Sequence, residues 1–292
     1  MKVLITGASG YVGGAVAKYI SDNGNDVDLL LRKKSVVSEN IKNSRNIKCH
    51  YIDIDYDGVY EVVKLVKPDC VIHLASLFLS QHDKNQLDDL IDSNLKYGLY
   101  LLEAMKNCGV TKLINTGTSW QHFHKQSYEP VNLYAATKQA FQNMVEYYVS
   151  AHSFDVITLK LFDTYGPGDQ RQKLVHLLLK LESTGDSLKM SPGKQEINMV
   201  HIHDVCTAYY TSLNLLLNRQ SNEHSVYAVS AEETMTLKSF VSIFESVRKK
   251  KINIEWGGRE YRDREVMEVW SDYQLVPGWK QTIDLCEGLR SL

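Results

Sequence analysis

Short apolar runs alternate with segments of helical periodicity through the first half of the chain. The runs predict strands at residues 2–6, 27–31, 47–52, 70–75, 112–116 and 156–161. Apolar residues recurring with the helical period predict helices between most of these strands, at residues 11–23, 59–67, 86–107 and 133–151. Strands that are apolar along their whole length and separated by helices are typical of a parallel sheet covered on both faces, with right-handed crossovers.

The pattern becomes less regular after residue 162. Glycine and proline interrupt "DTYGPGDQ", "SPGKQ", "EWGGREYRDRE" and "VPGWK", which predicts irregular connections. A helical pattern over 203–218 and a strand pattern over 224–230 indicate that the chain then returns to the sheet. We therefore predict an α/β fold in two parts. The doubly wound parallel sheet takes residues 1–162 plus 203–230, and a smaller C-terminal α/β lobe takes residues 163–202 plus 231–292.

The composition excludes several function classes. The chain has 292 residues, and 33 Lys and Arg against 35 Asp and Glu leave a formal net charge of -2, which disfavours nucleic-acid and anionic-membrane partners. It contains no run of about 18 apolar residues, so we expect no membrane-spanning helix. Five scattered cysteines without a CxxC pair favour free thiols in a reducing compartment. Because "MKVLITG" passes directly into the first predicted strand, we expect no signal peptide and a cytoplasmic protein.

A glycine-rich stretch, "TGASGYVGG", lies between the first predicted strand and the first predicted helix. Gly7 permits a tight turn, Gly10 lets the backbone approach a pyrophosphate, and Gly13 allows close packing of helix on strand. The helix N-terminus adds N–H donors and a positive dipole. This context predicts a Rossmann-type dinucleotide site. Its predicted cofactor contacts are Gly7, Ser9, Gly10, Tyr11, Val12 and Gly13.

The end of the second predicted strand bears on the choice of cofactor. Proteins that prefer NAD usually carry a carboxylate there for the ribose 2′-hydroxyl. This chain has Arg32 followed by Lys33 and Lys34. A guanidinium can pair with a 2′-phosphate, so NADP(H) is favoured and NAD(H) stays possible. The alternative is that these cations form a solvated basic loop.

Motifs along the whole chain resemble a known family. "TGASGYVG", "YIDID", "HLAS", "DSNLKYGLYLLEA", "YAATK" and "LFDTYGPGDQ" occur in the order found in extended short-chain dehydrogenases/reductases. That group includes nucleotide-sugar epimerases, dehydratases and 4-ketoreductases. The C-terminal "IEWGGREYRDREVMEVWSD" is similar to the ends of the CDP-abequose and CDP-paratose synthases within it.

The resemblance implies roles for residues near the middle of the chain. Tyr134 and Lys138, four residues apart on a predicted helix, would be the catalytic pair. Thr118 would supply the catalytic hydroxyl at the end of a strand, with Ser119 as the alternative. Lys138 would also hold the nicotinamide ribose. Without other motifs, a Tyr and a Lys at this spacing would be read as ordinary surface residues. Because the glycine-rich cofactor loop precedes them in the same chain, the catalytic interpretation is favoured.

The resemblance also assigns the remaining cofactor contacts. Asp53 and Ile54 would contact the adenine, and Asn94 would complete the polar network of the active site. The alternatives are that Asp53 caps a turn, that His73 is a hydrogen-bonded core residue and that Asn94 is a structural hydrogen-bonder. The residues expected along the cofactor are Leu74, Ala75 and Ser76, at the end of the fourth predicted strand and directly after it.

The substrate-binding residues are assigned from the same resemblance, with a solvated charged face as the alternative. Many relatives carry an Arg-Asp pair where this chain has Ile197 and Asn198, which removes one expected charge. His122/His124 and His201/His203 lack a third ligand, so no metal is expected. The expected substrate contacts are Asp163, Arg171, Lys173, Asn198 and Arg262.

The resulting hypothesis is NADPH-dependent reduction of the 4-keto group of a CDP- or GDP-linked deoxy-4-ketohexose, in surface-polysaccharide (O-antigen) sugar biosynthesis. Tyr134 would protonate the developing alkoxide, and Lys138 together with an oxidised nicotinamide would lower the pKa of its phenol. One alternative is an NAD-dependent nucleotide-sugar 4-epimerase, and a second is a non-catalytic dinucleotide-sensing protein. Relatives pair through the helices that correspond to 86–107 and 133–151, so a homodimer is expected.

Overall fold

A computed structural model describes residues 1–292. Seven parallel strands form the central sheet in the order β11-β6-β5-β4-β1-β2-β3. These strands are β1 (Lys2–Thr6), β2 (Asp26–Arg32), β3 (Ile47–Ile52), β4 (Cys70–His73), β5 (Lys112–Thr118), β6 (Asp155–Leu161) and β11 (His224–Val229). The prediction of a doubly wound parallel α/β sheet is confirmed.

Helices cover both faces of this sheet. They are α1 (Tyr11–Asp22), α2 (Glu39–Lys42), α3 (Tyr56–Val66), α4 (Leu87–Ile91), α5 (Tyr97–Cys108), α6 (Leu133–His152) and α8 (Ile202–Asn218). The helix predicted over 86–107 is interrupted, because a π-helical turn at Asp92–Lys96 separates α4 from α5. The strand predicted over 70–75 ends at His73.

Two hydrophobic clusters lie on opposite faces of the sheet because alternate strand residues point to opposite sides. Val3 and Ile5 of β1 pack with α1 and α8, whereas Leu4 packs with α3, α5 and α6. Burial on both faces explains why the strands are apolar throughout. The helical and strand periods in the sequence therefore follow from this three-layer packing.

The second part of the chain forms a smaller α/β lobe. Its elements are β7 (Asp163–Tyr165), α7 (Leu174–Thr184), β8 (Leu188–Met190), β9 (Glu196–Ile197), β10 (Met199–His201), β12 (Met235–Thr236), α9 (Leu237–Arg248), β13 (Ile254–Trp256) and α10 (Leu285–Arg290). Leu178 and Phe240 belong to a third hydrophobic cluster built from α7, α9 and α10. Trp270 and Trp279 instead pack with the sheet cluster that contains α1 and α8. The boundaries between the two parts of the chain, as given from the sequence, stay a prediction.

None of the helices combines the length and apolar character needed to cross a lipid bilayer.

Candidate active site

A cavity of about 710 Å³ opens at the carboxyl ends of the sheet strands. It lies where the strand order reverses between β1 and β4, the position at which open α/β sheets bind ligands. Most residues predicted as site residues line it. They are Gly7, Ser9, Gly10, Tyr11, Val12, Gly13, Arg32, Ile54, Leu74, Ala75, Ser76, Thr118, Tyr134, Lys138, Asp163, Arg171 and Lys173.

The glycine-rich loop has the geometry of a phosphate cradle. Gly7 has a φ of 80°, and a Cβ there would lie 2.5 Å from the backbone nitrogen of Ala75. A Cβ on Gly13 would lie 2.3 Å from the carbonyl oxygen of Gly7. Helix α1 begins after Gly10 without a side-chain cap, so its first N–H groups are available to an anion. The loop therefore fits a pyrophosphate.

The cations at the end of β2 have different environments. Lys33 forms an ion pair with Asp53, whereas Arg32 lines the cavity and has no hydrogen-bond or ion-pair partner within the chain. The carboxylate of Asp53 is turned toward Lys33, and Asp53 is not among the residues that line the cavity, whereas the adjacent Ile54 lines it. The adenine contacts of both residues stay a prediction. Arg32 is thus the free cation at the place where a dinucleotide ribose would lie.

Helix α6 carries the two predicted catalytic side chains into the cavity. Its first turn is fixed because the side chain of Asn132 accepts a 3.0 Å hydrogen bond from the N–H of Ala135. Lys138 is only 2% exposed, and its ammonium group forms no hydrogen bond or ion pair within the chain. Burial lowers the pKa of Lys138 to about 8. An almost fully buried cation without a partner in a cavity indicates a place for ligand oxygens.

The phenol of Tyr134 is protonated at neutral pH. Burial raises the pKa of Tyr134 to about 12, an effect opposed by the hydroxyl of Ser76. The expectation that Lys138 lowers this pKa is not met in the chain alone, where burial is the larger influence. The ring of Phe78 contacts Tyr134 edge-on, with centroids 5.0 Å apart, and fixes its orientation.

The predicted hydroxyl lies on the other side of the cavity, at the end of β5. The hydroxyl oxygen of Thr118 accepts a 3.3 Å hydrogen bond from the N–H of Trp120, which leaves its own proton free to be donated. Ser119 also lines the cavity, so the structure keeps both predicted candidates at the site. Of the two, Thr118 is the residue that pairs within the sheet, opposite Leu161 of β6.

Gln121 is a site residue that the sequence reasoning missed. Its side-chain oxygen accepts a 3.0 Å hydrogen bond from the N–H of Thr118. Its amide donates to the side-chain oxygens of Gln139 and Gln142 on α6, at 2.6 and 3.2 Å. The spacing of Gln139 and Gln142 on a largely buried helix face was the signal in the sequence that could have indicated a partner such as Gln121, because buried amides need hydrogen-bond partners.

Asn94 and His73 lie behind the cavity wall. Asn94 accepts hydrogen bonds from the hydroxyl of Ser76 and the N–H of Leu77, at 3.0 and 2.7 Å, and donates to Thr137 at 2.9 Å. It is not among the residues that line the cavity, and its place in the polar network of the active site stays a prediction. The hydroxyl of Thr6 and Nδ1 of His73 share a 2.8 Å hydrogen bond, and burial lowers the pKa of His73 to about 3.

The predicted substrate cations at the second lobe are already partly engaged. Arg171 donates two hydrogen bonds to Asp169, at 2.8 and 2.7 Å, and its guanidinium lies 4.7 Å from the ring centroid of Tyr11. Lys173 lies 3.4 Å from a carboxylate oxygen of Asp163 and 5.1 Å from the centroid of Phe78. The cation of Lys173 is therefore the more available for a new anionic partner.

Two predicted substrate residues lie outside the cavity. Asn198 is buried, donates to the carbonyl of Ala231 at 2.8 Å and accepts from the N–H of the same residue at 2.8 Å, so its amide holds two backbone segments together. Arg262 is exposed on a C-terminal loop. Its neighbour Arg264 instead reaches the loop before α6, donating to the carbonyl of Pro130 at 3.0 Å.

The histidines have partners other than a metal. Nε2 of His122 lies 2.6 Å from the ammonium of Lys160, and its ring stacks on Trp270 with centroids 3.8 Å apart. Burial, together with the charge of Lys160, lowers the pKa of His122 to about 4. His201 caps helix α8 through the N–H of His203. No group of three or more His, Cys, Asp or Glu side chains is placed to hold a metal ion.

Comparison with known proteins defines the class of this chain. A model of the NAD dependent epimerase/dehydratase family matches residues 3–228, and the chain belongs to that family. Among curated relatives, it is 28% identical over 269 residues to the CDP-abequose synthase of Yersinia pseudotuberculosis, with 91% of each protein covered. It is 26% identical to the CDP-abequose synthase of Salmonella typhimurium, covering 99% of this chain and 96% of the relative.

Solved structures share the fold at lower identity. The UDP-glucose 4-epimerase of Thermotoga maritima, solved with UDP-glucose, has a TM-score of 0.87 and 20% identity, covering 99% of this chain and 96% of the other. The UDP-glucuronic acid 4-epimerase of Bacillus cereus, in complex with UDP-glucuronic acid and NAD, has a TM-score of 0.85 and 19% identity, covering 100% and 97%. These similarities confirm the Rossmann-type fold and the resemblance read from the motifs.

Proposed function

We propose that the protein is an NADPH-dependent reductase of the 4-keto group of a nucleotide-linked deoxy-4-ketohexose, with a CDP- or GDP-linked sugar as substrate. The observation that carries this proposal is the meeting of Tyr134, Lys138 and Thr118 in one cavity with the glycine-rich loop. A buried phenol, an unpaired buried cation and a free hydroxyl proton are the groups that carbonyl reduction requires.

The residues of the cavity fit a nicotinamide dinucleotide. A Cβ at Gly7 or Gly13 would clash with the neighbouring backbone, so only glycine allows this tight loop, and the uncapped start of α1 supplies donors to a pyrophosphate. Arg32 supports NADP(H) over NAD(H), because it is unpaired and could bind a 2′-phosphate bidentately. Lys138 would hold ribose hydroxyls at the opposite end of the cavity. When bound, the reduced nicotinamide supplies the hydride.

The side chains divide the remaining work of the reaction. The hydroxyl of Thr118 accepts the N–H of Trp120 and keeps its own proton, which it donates in a hydrogen bond to the substrate carbonyl oxygen. Tyr134 transfers its phenolic proton to the same oxygen as negative charge develops there. The ammonium of Lys138 then stabilises the phenolate that remains, until solvent returns a proton.

The protonation state of Tyr134 suits the donation of a proton. With a pKa raised to about 12 by burial, the phenol holds its proton at neutral pH and can donate it. The NAD-dependent 4-epimerase alternative finds less support because the unpaired Arg32 favours NADP(H). A non-catalytic dinucleotide sensor could use Lys138 for the ribose, but it would have no need of a proton donor such as Tyr134.

The nucleotide-sugar class is supported by the relatives and by charge at the second lobe. Two relatives of nearly full length are named CDP-abequose synthase. Lys173 and Arg171 both line the cavity, and their cations would bind the diphosphate of such a substrate. We propose that the product is used in surface-polysaccharide biosynthesis, and this rests on the sugar class alone.

We also propose a homodimer through α5 and α6, on which Leu99 and Tyr147 are exposed. Light scattering would test the dimer.

The experiment follows NADPH absorbance with purified protein and CDP- or GDP-linked 4-keto-6-deoxy sugars. Consumption of NADPH with a reduced sugar product supports the proposal, and Tyr134→Phe serves as the catalytic control. Release of NAD from denatured protein, with interconversion of 4-epimers and no net NADPH use, would identify an epimerase instead. Dinucleotide binding without turnover of any such sugar would leave the sensing alternative and contradict the proposal.

A further inference from the structure

The hydroxyl of Tyr97 is a buried polar group without a partner. Tyr97 begins helix α5, is 6% exposed and lines the cavity. Only two other buried side-chain atoms of the chain lack a hydrogen bond, in Asn115 and Ser212, and neither residue lines the cavity. An unpaired buried hydroxyl destabilises a fold, and phenylalanine would avoid that cost. A tyrosine at this place therefore points to a partner from outside the chain.

The position of Tyr97 identifies the end of the cavity that it serves. Tyr97 belongs to the hydrophobic cluster that contains Leu30 of β2, against which Ile54 packs, so it lies close to the end of β2. The charge of Arg32 there opposes the rise that burial gives to the pKa of Tyr97. Its ring also packs edge-on against His73 at the end of β4, with centroids 5.8 Å apart. In this fold the adenosine ribose lies at the end of β2. Tyr97 therefore borders the adenosine half of the site.

The backbone before Tyr97 is shaped for this placement. A π-helical turn at Asp92–Lys96 ends directly at Tyr97, and such turns frequently mark functional sites. The extra residue in the turn lets Asn94 face the loop after β4 while Tyr97 still reaches the cavity. The adjacent Gly98 leaves room for the ring of Phe141, which a Cβ would approach within 2.3 Å.

We infer that the hydroxyl of Tyr97 donates a hydrogen bond to the adenine ring of the bound dinucleotide. Arg32 is the group suited to the ribose and its 2′-phosphate, whereas Ile54 and Leu74 offer apolar faces to a base. Tyr97 supplies a polar group beside these apolar faces, and a few polar groups among apolar ones are what orient a bound base. This inference rests on the proposed function, since it requires that the chain bind a dinucleotide.

The test uses Tyr97→Phe, with Tyr100→Phe on the same helix as the matched control, because Tyr100 does not line the cavity. Ligand-free Tyr97→Phe should unfold at the same or a higher temperature than wild type, because it loses only an unpaired hydroxyl. Calorimetric titration should show NADPH and ADP-ribose binding weakened by about 3–10-fold, the range for one lost hydrogen bond. Nicotinamide mononucleotide should bind both proteins equally.

The outcomes separate this inference from the proposed function. Wild-type affinity for NADPH and ADP-ribose in Tyr97→Phe would overturn the inference and leave the reductase proposal standing. A lower unfolding temperature or failure to fold would show that the hydroxyl has a structural partner, and would overturn it too. Absence of binding of any dinucleotide to the wild-type protein would overturn both.

Discussion

The side-chain amide of Gln121 donates a 2.6 Å hydrogen bond to the side-chain oxygen of Gln139. Gln139 directly follows Lys138 on α6, and Gln121 also accepts the N–H of Thr118 at 3.0 Å. One completely buried amide thus joins the strand end that presents the proposed catalytic hydroxyl to the helix that presents Tyr134. The relative position of Thr118 and the catalytic pair depends on it.

Substitution of Gln121 by leucine should therefore lower kcat more than it weakens cofactor binding. It leaves the N–H of Thr118 unpaired and releases the strand end from α6, and small misplacements of reacting groups cost up to about 100-fold in rate. Steady-state kinetics and NADPH titration measure the two effects. Gln126→Leu, an exposed change in the same loop, is the control. Equal loss of kcat in both variants would contradict the prediction.

Removal of the phenolic oxygen with Tyr134→Phe should lower kcat by about 10²–10⁴-fold, because the proton donor is lost. The ring contact with Phe78 is retained, so the unfolding temperature should change little. Tyr147→Phe on the same helix is the matched control, since Tyr147 is 57% exposed. Turnover of Tyr134→Phe at the wild-type rate would remove the residue from the mechanism.

Substitution of Arg32 by alanine should weaken NADPH binding by about 10–100-fold, the range for one charged hydrogen-bonding pair, and leave NADH binding nearly unchanged. The reason is that Arg32 is the unpaired cation at the end of β2. Lys34→Ala removes an exposed cation two residues away that does not line the cavity. Fluorescence titration with both cofactors measures the ratio; parallel loss of NADPH and NADH would refute the 2′-phosphate role.

The buried ammonium of Lys138 should make stability depend on pH. Its folded-state pKa of about 8 lies below its ordinary value of 10.5. Between these values the unfolded chain binds more protons, so the free energy of unfolding rises with pH. Lys138→Met should therefore stabilise the ligand-free fold by about 3 kcal/mol below pH 8, and the difference should vanish above pH 10.5.

Urea unfolding of the wild type and Lys138→Met across this pH range checks the prediction. Lys160, whose pKa is also lowered to about 8 by burial, is present in both proteins, so its contribution cancels in the difference. A constant difference across the range would show that Lys138 titrates normally. The same variant should lose activity, because the ammonium that supports the Tyr134 phenolate is absent.

Periodicity and motif spacing predicted the central fold because they are properties of contiguous residues. The strand predicted over 47–52 matches β3. The helix predicted over 133–151 falls one residue short of the observed end of α6 at His152. Strands of two or three residues, such as β9 and β13, escaped prediction. They exist only because they pair with distant segments, β12 and β8, and no local pattern encodes that pairing.

In the candidate site, too, local motifs were predictable from the sequence and contacts between distant segments were not. Gly7 and Tyr134 were found because their motifs are local. The partners that Asp53 and Asn198 have within the chain, Lys33 and the backbone of Ala231, are not predictable from the sequence. Side-chain pairing of this kind depends on geometry across elements. Gln121 was missed for the converse reason, because glutamine carries no chemical signature of its own.

The last strand of the sheet has a consequence for biosynthesis. β11 pairs with β6 along its whole length, from His224 opposite Val156 to Val229 opposite Leu161. A nascent chain that has reached any point between residues 162 and 223 therefore carries β6 as an open edge, able to pair with a neighbouring chain. We expect fragments that stop in this interval to aggregate, and the addition of β11 to be the step that covers this edge.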